Sequence, residues 1–447
     1  MRTKMQLVAV LAMCLAGTAV WPQSASAEAP VRLTLADAIQ RGMQANLSVL
    51  LATAQTDAAA GTRLRRLSAA LLPRVNAQTY ANYQNRDLRA FGISLPGMPE
   101  VVGPFSNYDV RLYAQQNVFD LQSMNLLRAS NHDLEASRLS EQDARDLIVR
   151  AVAALYLNGE SQQARAEAAQ SRVTASTTLL KLATDKHDAG TATGVDVLRA
   201  EVQLANDRQA LLEAETQRQQ ALLALARAIG ISPRMPIELA EKLAYQPQAP
   251  DGTESLITAA MMHRADFRSL QSERAGLLDR QRANQARSYP KLSVNGNFGG
   301  IGRSVGGMQA TGLIQGQIDF TLYDRDREGE AVEIRNQLRG VDDRIADLRR
   351  GIEEDVQSAL LNLNSAAQQV DVAQQGQSLA ERELNMAQDR FAQGTANNVE
   401  VVTAQDELTR AQENYIVAVS SHVDAKFALA RALGDTEKNV TEPVPAP

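Results

Sequence analysis

Short segments with a two-residue hydrophobic period alternate along this chain with long segments that contain no proline. The two-residue period occurs at residues 74–85, 107–119, 291–301 and 310–322, and it predicts β-strands with one apolar face. In the last segment four residues form that apolar face: Ile314, Ile318, Phe320 and Leu322. The sequence therefore predicts two pairs of strands that are far apart in the chain.

Each strand pair precedes a long segment rich in Ala, Leu, Gln, Glu and Arg, at residues 123–187 and 324–391. These residues are strong helix formers, and a helix of about 65 residues is about 100 Å long. Such a length indicates a coiled coil or a helical tube. Gly190 and Gly394 then predict turns into second helices, which Gly230 and Gly434 are placed to terminate.

The second half of the chain repeats the first. When residues 183–230 are aligned with 387–434 at an offset of 204, 17 of the 48 positions are identical, including the Gly-Thr pairs at the two turns. We infer a duplication, with the first repeat at 28–245, the second at 246–436, and a disordered tail at 437–447. Each repeat contributes a strand pair and one long helical hairpin, with its tip near residue 190 or 394.

The second helix of each hairpin has no strict leucine seam. Val195, Leu198 and Val202 keep three-and-four spacing, but Gln209 and Thr216 interrupt it. Two interpretations stay open: a solvated face of a long coiled coil, or helices that surround a water-filled lumen.

The first 27 residues have the pattern of a secretory signal peptide. Arg2 and Lys4 precede an apolar run of about 14 residues, which is too short to span a membrane, and a small-x-small site ends at Ala27. Cleavage there would remove Cys14, the one cysteine of the chain. Lipid attachment at Cys14 is not the favoured interpretation, because Met13 precedes it and the cysteine lies within the apolar run instead of after it. The sequence predicts an exported protein with no helical membrane span.

One-sided strands in an exported chain indicate an outer-membrane β-barrel, with two hairpins of a soluble periplasmic sheet as the alternative. Four strands cannot close, because unpaired backbone groups in lipid cost several kcal/mol each. Two copies of the chain would supply eight strands and three would supply twelve. Since an eight-stranded barrel is filled by its own side chains, a conduit favours three copies.

Charge and motif content argue against several other functions. The net charge is −6, from 46 basic and 52 acidic residues, which does not favour nucleic-acid binding. The four histidines are scattered, and the acidic run at residues 324–329 has Arg335 where a calcium loop needs a glutamate. We therefore predict no cofactor, no metal site and no enzymatic activity.

Several motifs, in this order over the whole mature chain, resemble those of the TolC-type outer-membrane efflux channels. They are Leu33-Thr34-Leu35-Ala36-Asp37-Ala38, Asn117-Val118-Phe119-Asp120, Gly190-Thr191 through Asp196-Val197-Leu198, Thr321-Leu322-Tyr323-Asp324, and Gly394-Thr395 through Glu400-Val401-Val402. The resemblance implies a mostly α-helical fold in which a long helical barrel joins a twelve-stranded β-barrel built by a homotrimer, with four strands from each chain.

By that resemblance, the protein is an exit duct in the outer membrane that extends into the periplasm. Its tips, at Gly190, Thr191, Gly394 and Thr395, would dock on a periplasmic adaptor protein and thereby couple to an inner-membrane pump. Asp196 and Glu400 match the acidic residues that ring the family's periplasmic entrance, although each acid also suits a helix N-terminus, where the helix dipole favours it.

The chain departs from the family pattern close to the tips. Some relatives carry a second acid where this chain has Thr403, and an arginine where it has Ala192 and Ala396. The family's gate-latching ion pairs therefore cannot be transferred, and we hypothesise a weaker, differently bonded closed state. The alternative function is a periplasmic coiled-coil structural protein with no pore.

Overall fold

The computed structural model describes residues 31–94, 96–241, 245–247, 252–393, 395–396 and 398–436. The predicted signal peptide, the predicted disordered tail and Gly394 lie outside the described residues.

The elements follow the duplicated order that the sequence predicts. The first repeat contains β1 (Val31–Leu33), α1 (Leu35–Ala45), α2 (Leu47–Leu71), β2 (Arg74–Asp87), β3 (Val101–Phe119), α3 (Leu121–Asp188) and α4 (Gly194–Ala228). The second contains β4 (Ile237–Leu239), α5 (Thr253–His263), α6 (Ala265–Ala286), β5 (Lys291–Gly302), β6 (Gln309–Asp319), α7 (Asp326–Ala392) and α8 (Asn398–Leu433). Among the described helices, none has the length and hydropathy needed to cross a membrane.

The four long strands form one antiparallel sheet in the order β2-β3-β5-β6. Two predicted boundaries were wrong. β3 begins at Val101 rather than 107, because residues 101, 102 and 105–107 pair with β2 alone. Pro104 falls at the register shift between Gln84 and Arg86, a place where a strand tolerates proline. β6 ends at Asp319 rather than 322, because Asp319 pairs with Lys291, the first residue of β5.

The long helix α3 organises the helical part, since α2, α4, α6 and α8 all pack against it. Around its middle, Val149, Val152 and Tyr156 form a core with α1, α4 and the short parallel β1–β4 sheet. The Tyr156 hydroxyl donates to the Leu33 carbonyl at 3.1 Å. We call this level of the molecule the equator.

The second repeat has its own equatorial core, in which α5 and α6 pack on α7 and α8. Its apolar residues include Phe267, Ile352, Val356 and Leu429. Gly230 and Gly434 end α4 and α8 with φ of +70° and +77°, a left-handed conformation that glycine adopts at little cost. The sequence prediction for both glycines is confirmed.

Candidate functional site

The first hairpin tip is an exposed turn built around Gly190. Its φ is +74°, and a Cβ atom placed there would meet nothing within 4 Å. The Thr191 hydroxyl donates to the Lys186 carbonyl at 3.0 Å, and the Thr191 backbone N–H donates to the same oxygen at 2.9 Å. The turn therefore ends α3 through its own hydrogen bonds and leaves Gly190 and Thr191 open to solvent.

The second tip repeats this bonding. The Thr395 hydroxyl donates to the Arg390 carbonyl at 3.0 Å, and its backbone N–H donates to the same oxygen at 2.9 Å. Each threonine of a Gly-Thr pair thus satisfies a carbonyl at the end of a long helix, which explains the threonine at both tips.

Asp196 lies at the start of α4 and caps it. Its Oδ2 accepts from the Thr193 hydroxyl at 2.7 Å and from the Thr193 backbone N–H at 3.0 Å, while Arg199 lies 3.8 Å away. These hydrogen bonds, the side-chain one first, favour the carboxylate and lower the pKa of Asp196. The residue is therefore negatively charged and held in place at neutral pH.

Glu400 occupies the equivalent position on α8 and forms an ion pair across its own turn. Its Oε1 lies 3.0 Å from Nη1 of Arg390, near the end of α7. Both predicted entrance acids therefore interact with groups of their own hairpin. Whether their carboxylates form a ring at an entrance depends on neighbouring copies, and it stays a prediction.

A contact between the two hairpins was not anticipated from the sequence. The Lys186 ammonium lies 4.3 Å from the centre of the Phe391 ring and donates to the Phe391 carbonyl. Phe391 is 5% exposed and belongs to a core with Leu384 and Val401, against which Leu179 and Leu182 of α3 pack. The sequence held one indication of this contact. His187 and Phe391 occupy equivalent positions in the repeat alignment, so the two tips differ there.

The sheet has two chemically distinct faces. Val110, Leu112, Val294, Phe298 and Ile314 project from one side and are largely exposed in the single chain. The other side carries a bonded polar group: Tyr80, Asp109, Arg111 and Asn297. Among the described strands, β2 and β6 each have one edge without a partner. An apolar face and two free edges suit a segment of a membrane barrel.

The described residues offer no metal centre, because no group of three or more His, Cys, Asp or Glu side chains among them is placed to hold an ion. Two acids of the calcium-like run contact Arg287, Asp324 at 2.5 Å and Asp326 at 3.2 Å, and so does the adjacent Glu330 at 2.7 Å. They stabilise the junction between α6 and α7.

Comparisons with known proteins agree with this geometry. A family model described as "Outer membrane efflux protein" matches residues 38–231 and 256–435. The toluene efflux pump outer membrane protein TtgF of Pseudomonas putida is 23% identical over 386 residues, covering 83% of this chain and 77% of the relative. The pyoverdine export outer membrane protein OpmQ of Pseudomonas aeruginosa is 22% identical over 378 residues, covering 82% and 78%.

The fold also matches solved structures. The outer membrane protein VceC of Vibrio cholerae superimposes with a TM-score of 0.74 at 18% sequence identity, covering 90% of this chain and 96% of that protein. The two stretches matched by the family model correspond to the two halves of the duplication.

Proposed function

This chain belongs to the outer membrane efflux protein family, and on that premise we propose that three copies form a passive exit duct docked through its hairpin tips to a periplasmic adaptor. The family assignment makes it an outer-membrane component of an efflux system. Two relatives are named for different cargoes, toluene and pyoverdine, so the assignment does not choose the cargo.

The open sheet is the observation that carries the proposal. β2 and β6 are antiparallel to their neighbours in a sheet of four strands, so β2 of one copy can pair antiparallel with β6 of another. That pairing satisfies both free edges and can be repeated around a ring. Twelve strands from three copies leave room for a lumen, whereas eight strands are filled by side chains.

The helices present two complementary sides in the same way. Along the half nearest the sheet, α2, α3, α6 and α7 pack in that order, so α2 and α7 are the outermost helices. Both expose large apolar residues in this half: Leu50, Leu51, Leu64 and Leu71 on α2, and Val332 on α7. If α7 of one copy packs against α2 of the next, the copies form a closed ring when the rotation between neighbours divides a full turn evenly.

The tips support docking by their exposure and position. Gly190, Thr191 and Thr395 are exposed at the ends of the long helices that lie farthest from the sheet. Val195 and Leu198, on the first turns of α4, are 54% and 61% exposed, and they add apolar surface next to the turn. A partner on the periplasmic side can therefore reach backbone, hydroxyl and apolar groups at one place.

Purification of the native complex from cell membranes under mild detergent tests the proposal. We expect a periplasmic adaptor and an inner-membrane pump to copurify with the wild-type chain, and we expect the purified chain alone to conduct ions across a planar bilayer. A protein that remains in the soluble periplasmic fraction and does not conduct would instead support the alternative, a coiled-coil structural protein with no pore.

A further inference from the structure

A bonded cluster spans three strands on the polar face of the sheet. The Arg111 Nε atom donates to both carboxylate oxygens of Asp109, at 2.7 and 2.9 Å, and Nη1 donates to the Asn297 Oδ1 at 3.1 Å. The Tyr80 hydroxyl donates to the Asp109 Oδ2 at 3.0 Å. We call these four residues the Arg111 cluster; it joins β2, β3 and β5 near the middle of β2.

Gly299 gives the cluster its space. It pairs with Arg111 across the β3–β5 ladder, and a Cβ atom there would lie 2.6 Å from the Arg111 Cα and 2.7 Å from its Cγ. It would lie closer still to the Val110 carbonyl oxygen, so only glycine fits this position without moving Arg111 and the strand that carries it.

The two charges of the cluster are not equally accessible. The Asp109 side chain is 2% exposed, while that of Arg111 is 20% exposed. The carboxylate is the more buried partner, so the positive end of the ion pair is the end that solvent reaches. Since the opposite face is apolar and suited to lipid, this solvent is the water of the lumen.

We propose that Arg111 forms a cationic ring on the inner wall of the β-barrel and gives the outer-membrane end of the duct a preference for anions. The proposal rests on the trimer proposed above, which places three copies of the cluster at one height. The guanidinium is a planar donor that suits carboxylate, phosphate and sulfonate groups. Charged rings of this kind set ion preference in channels.

Reversal potentials in planar bilayers under a KCl gradient test the proposal. The gradient is kept near 10 mM, where the screening length is about 30 Å and the field of the ring extends across the lumen. The variants are Arg111→Gln, Arg111→Lys and Asp109→Asn. Arg89→Gln is the matched control, because Arg89 forms an ion pair with Glu100 in the loop outside the strands.

We expect Arg111→Gln, which leaves the Asp109 charge alone, to lower the chloride-to-potassium permeability ratio by about twofold or more. Asp109→Asn should raise the ratio, while Arg111→Lys and Arg89→Gln should leave it close to wild type.

Unchanged ratios in both Arg111→Gln and Asp109→Asn would overturn the proposal and leave the cluster with only a structural role, as a link between strands. If the Arg111→Gln variant does not assemble into a channel, the permeability ratio of the Asp109→Asn variant alone tests the proposal. A wild-type protein that forms no channel would contradict the proposed duct itself.

Discussion

The ammonium of Lys186 on α3 lies 4.3 Å from the centre of the Phe391 ring on α7. In the duplication Lys186 corresponds to Arg390, and that arginine pairs with Glu400 of its own hairpin. Equivalent basic residues are therefore used differently: one ties its hairpin to the neighbouring hairpin, and the other closes its own. This asymmetry places a bond between the two hairpins that does not depend on the family's ion pairs, and we propose that it favours the closed state.

Replacing Lys186 with methionine should weaken that bond while keeping the side-chain length. A cation–π contact at a partly exposed site contributes about 0.5–1 kcal/mol, so we expect the open-to-closed ratio to rise about two- to fivefold. Single-channel recording in planar bilayers measures this ratio. Lys181→Met, on an exposed face of the same helix, is the control and should leave it unchanged. Equal gating in the Lys186 and Lys181 variants would show that the contact does not hold the closed state.

Replacing Gly190 with valine should prevent adaptor docking without dissociating the trimer. A left-handed backbone costs a residue with a Cβ atom about 1–2 kcal/mol, so the turn will change shape. The change stays local, because the space around Gly190 is empty. Adaptor recovery in native copurification is the readout, with trimer recovery measured alongside. Gly340→Val, in open space on α7, is the matched control. Normal adaptor recovery with Gly190→Val would exclude the first tip as a docking site, and Gly394→Val tests the second.

Acidification should destabilise the equator through His422. The ring is fully buried, and neither ring nitrogen has a hydrogen-bond partner among the described residues. The Tyr245 ring packs edge-on against it, with 4.8 Å between the two ring centres. Burial, and to a smaller extent the nearby Lys426 charge, lower the pKa of His422.

The unfolded chain therefore binds the proton first, and stability falls as the pH drops below the ordinary histidine pKa of about 6.5. Thermal unfolding in detergent between pH 7.5 and 5 should show this loss. His422→Phe should flatten that pH dependence, whereas His187→Phe, at the exposed first tip, should not. An unaltered slope in His422→Phe would mean that another group titrates.

The two repeats should depend unequally on their equivalent arginines. Arg431 on α8 pairs with Asp143 on α3 and is 11% exposed, whereas its counterpart Arg227 is exposed. Asp266, whose pKa is lowered chiefly by Arg264 against the effect of burial, also interacts with Arg431.

Arg431→Met removes a positive charge that interacts with the carboxylates of Asp143 and Asp266. We therefore expect the free energy of unfolding to fall by about 2 kcal/mol. Arg227→Met should change it by less than about 0.5 kcal/mol. Circular dichroism of thermal unfolding compares the two variants. Equal effects would show that the inter-repeat ion pair does not stabilise the fold.

The sequence predicted the parts of the fold that depend on local patterns. Alternation located the four strands, and the glycines of the duplication located the first tip and the ends of α4 and α8. The predicted start of β3 and the predicted end of β6 were wrong. The extent of a strand depends on the strand that it pairs with, and the partner is not evident from the local sequence. β1 and β4 have three residues each, too few for a periodic signal.

The candidate site was predicted less completely than the fold, because most of its contacts join residues that are far apart in the sequence. Gly190 follows from turn chemistry, and an acid at Asp196 suits the start of a helix, but the hydrogen bonds between Asp196 and Thr193 were not predicted. Lys186 and Phe391 are 205 positions apart, and the Arg111 cluster draws on three strands. Contacts of this kind appear only after the helices and strands have been packed together.

Native mass spectrometry of the mature protein in detergent tests the central claim most directly, since the account requires separate copies to complete one barrel. It predicts a mass of three chains, with the single chain appearing only after denaturation. A folded species of one chain, stable at concentrations that should favour assembly, would contradict it.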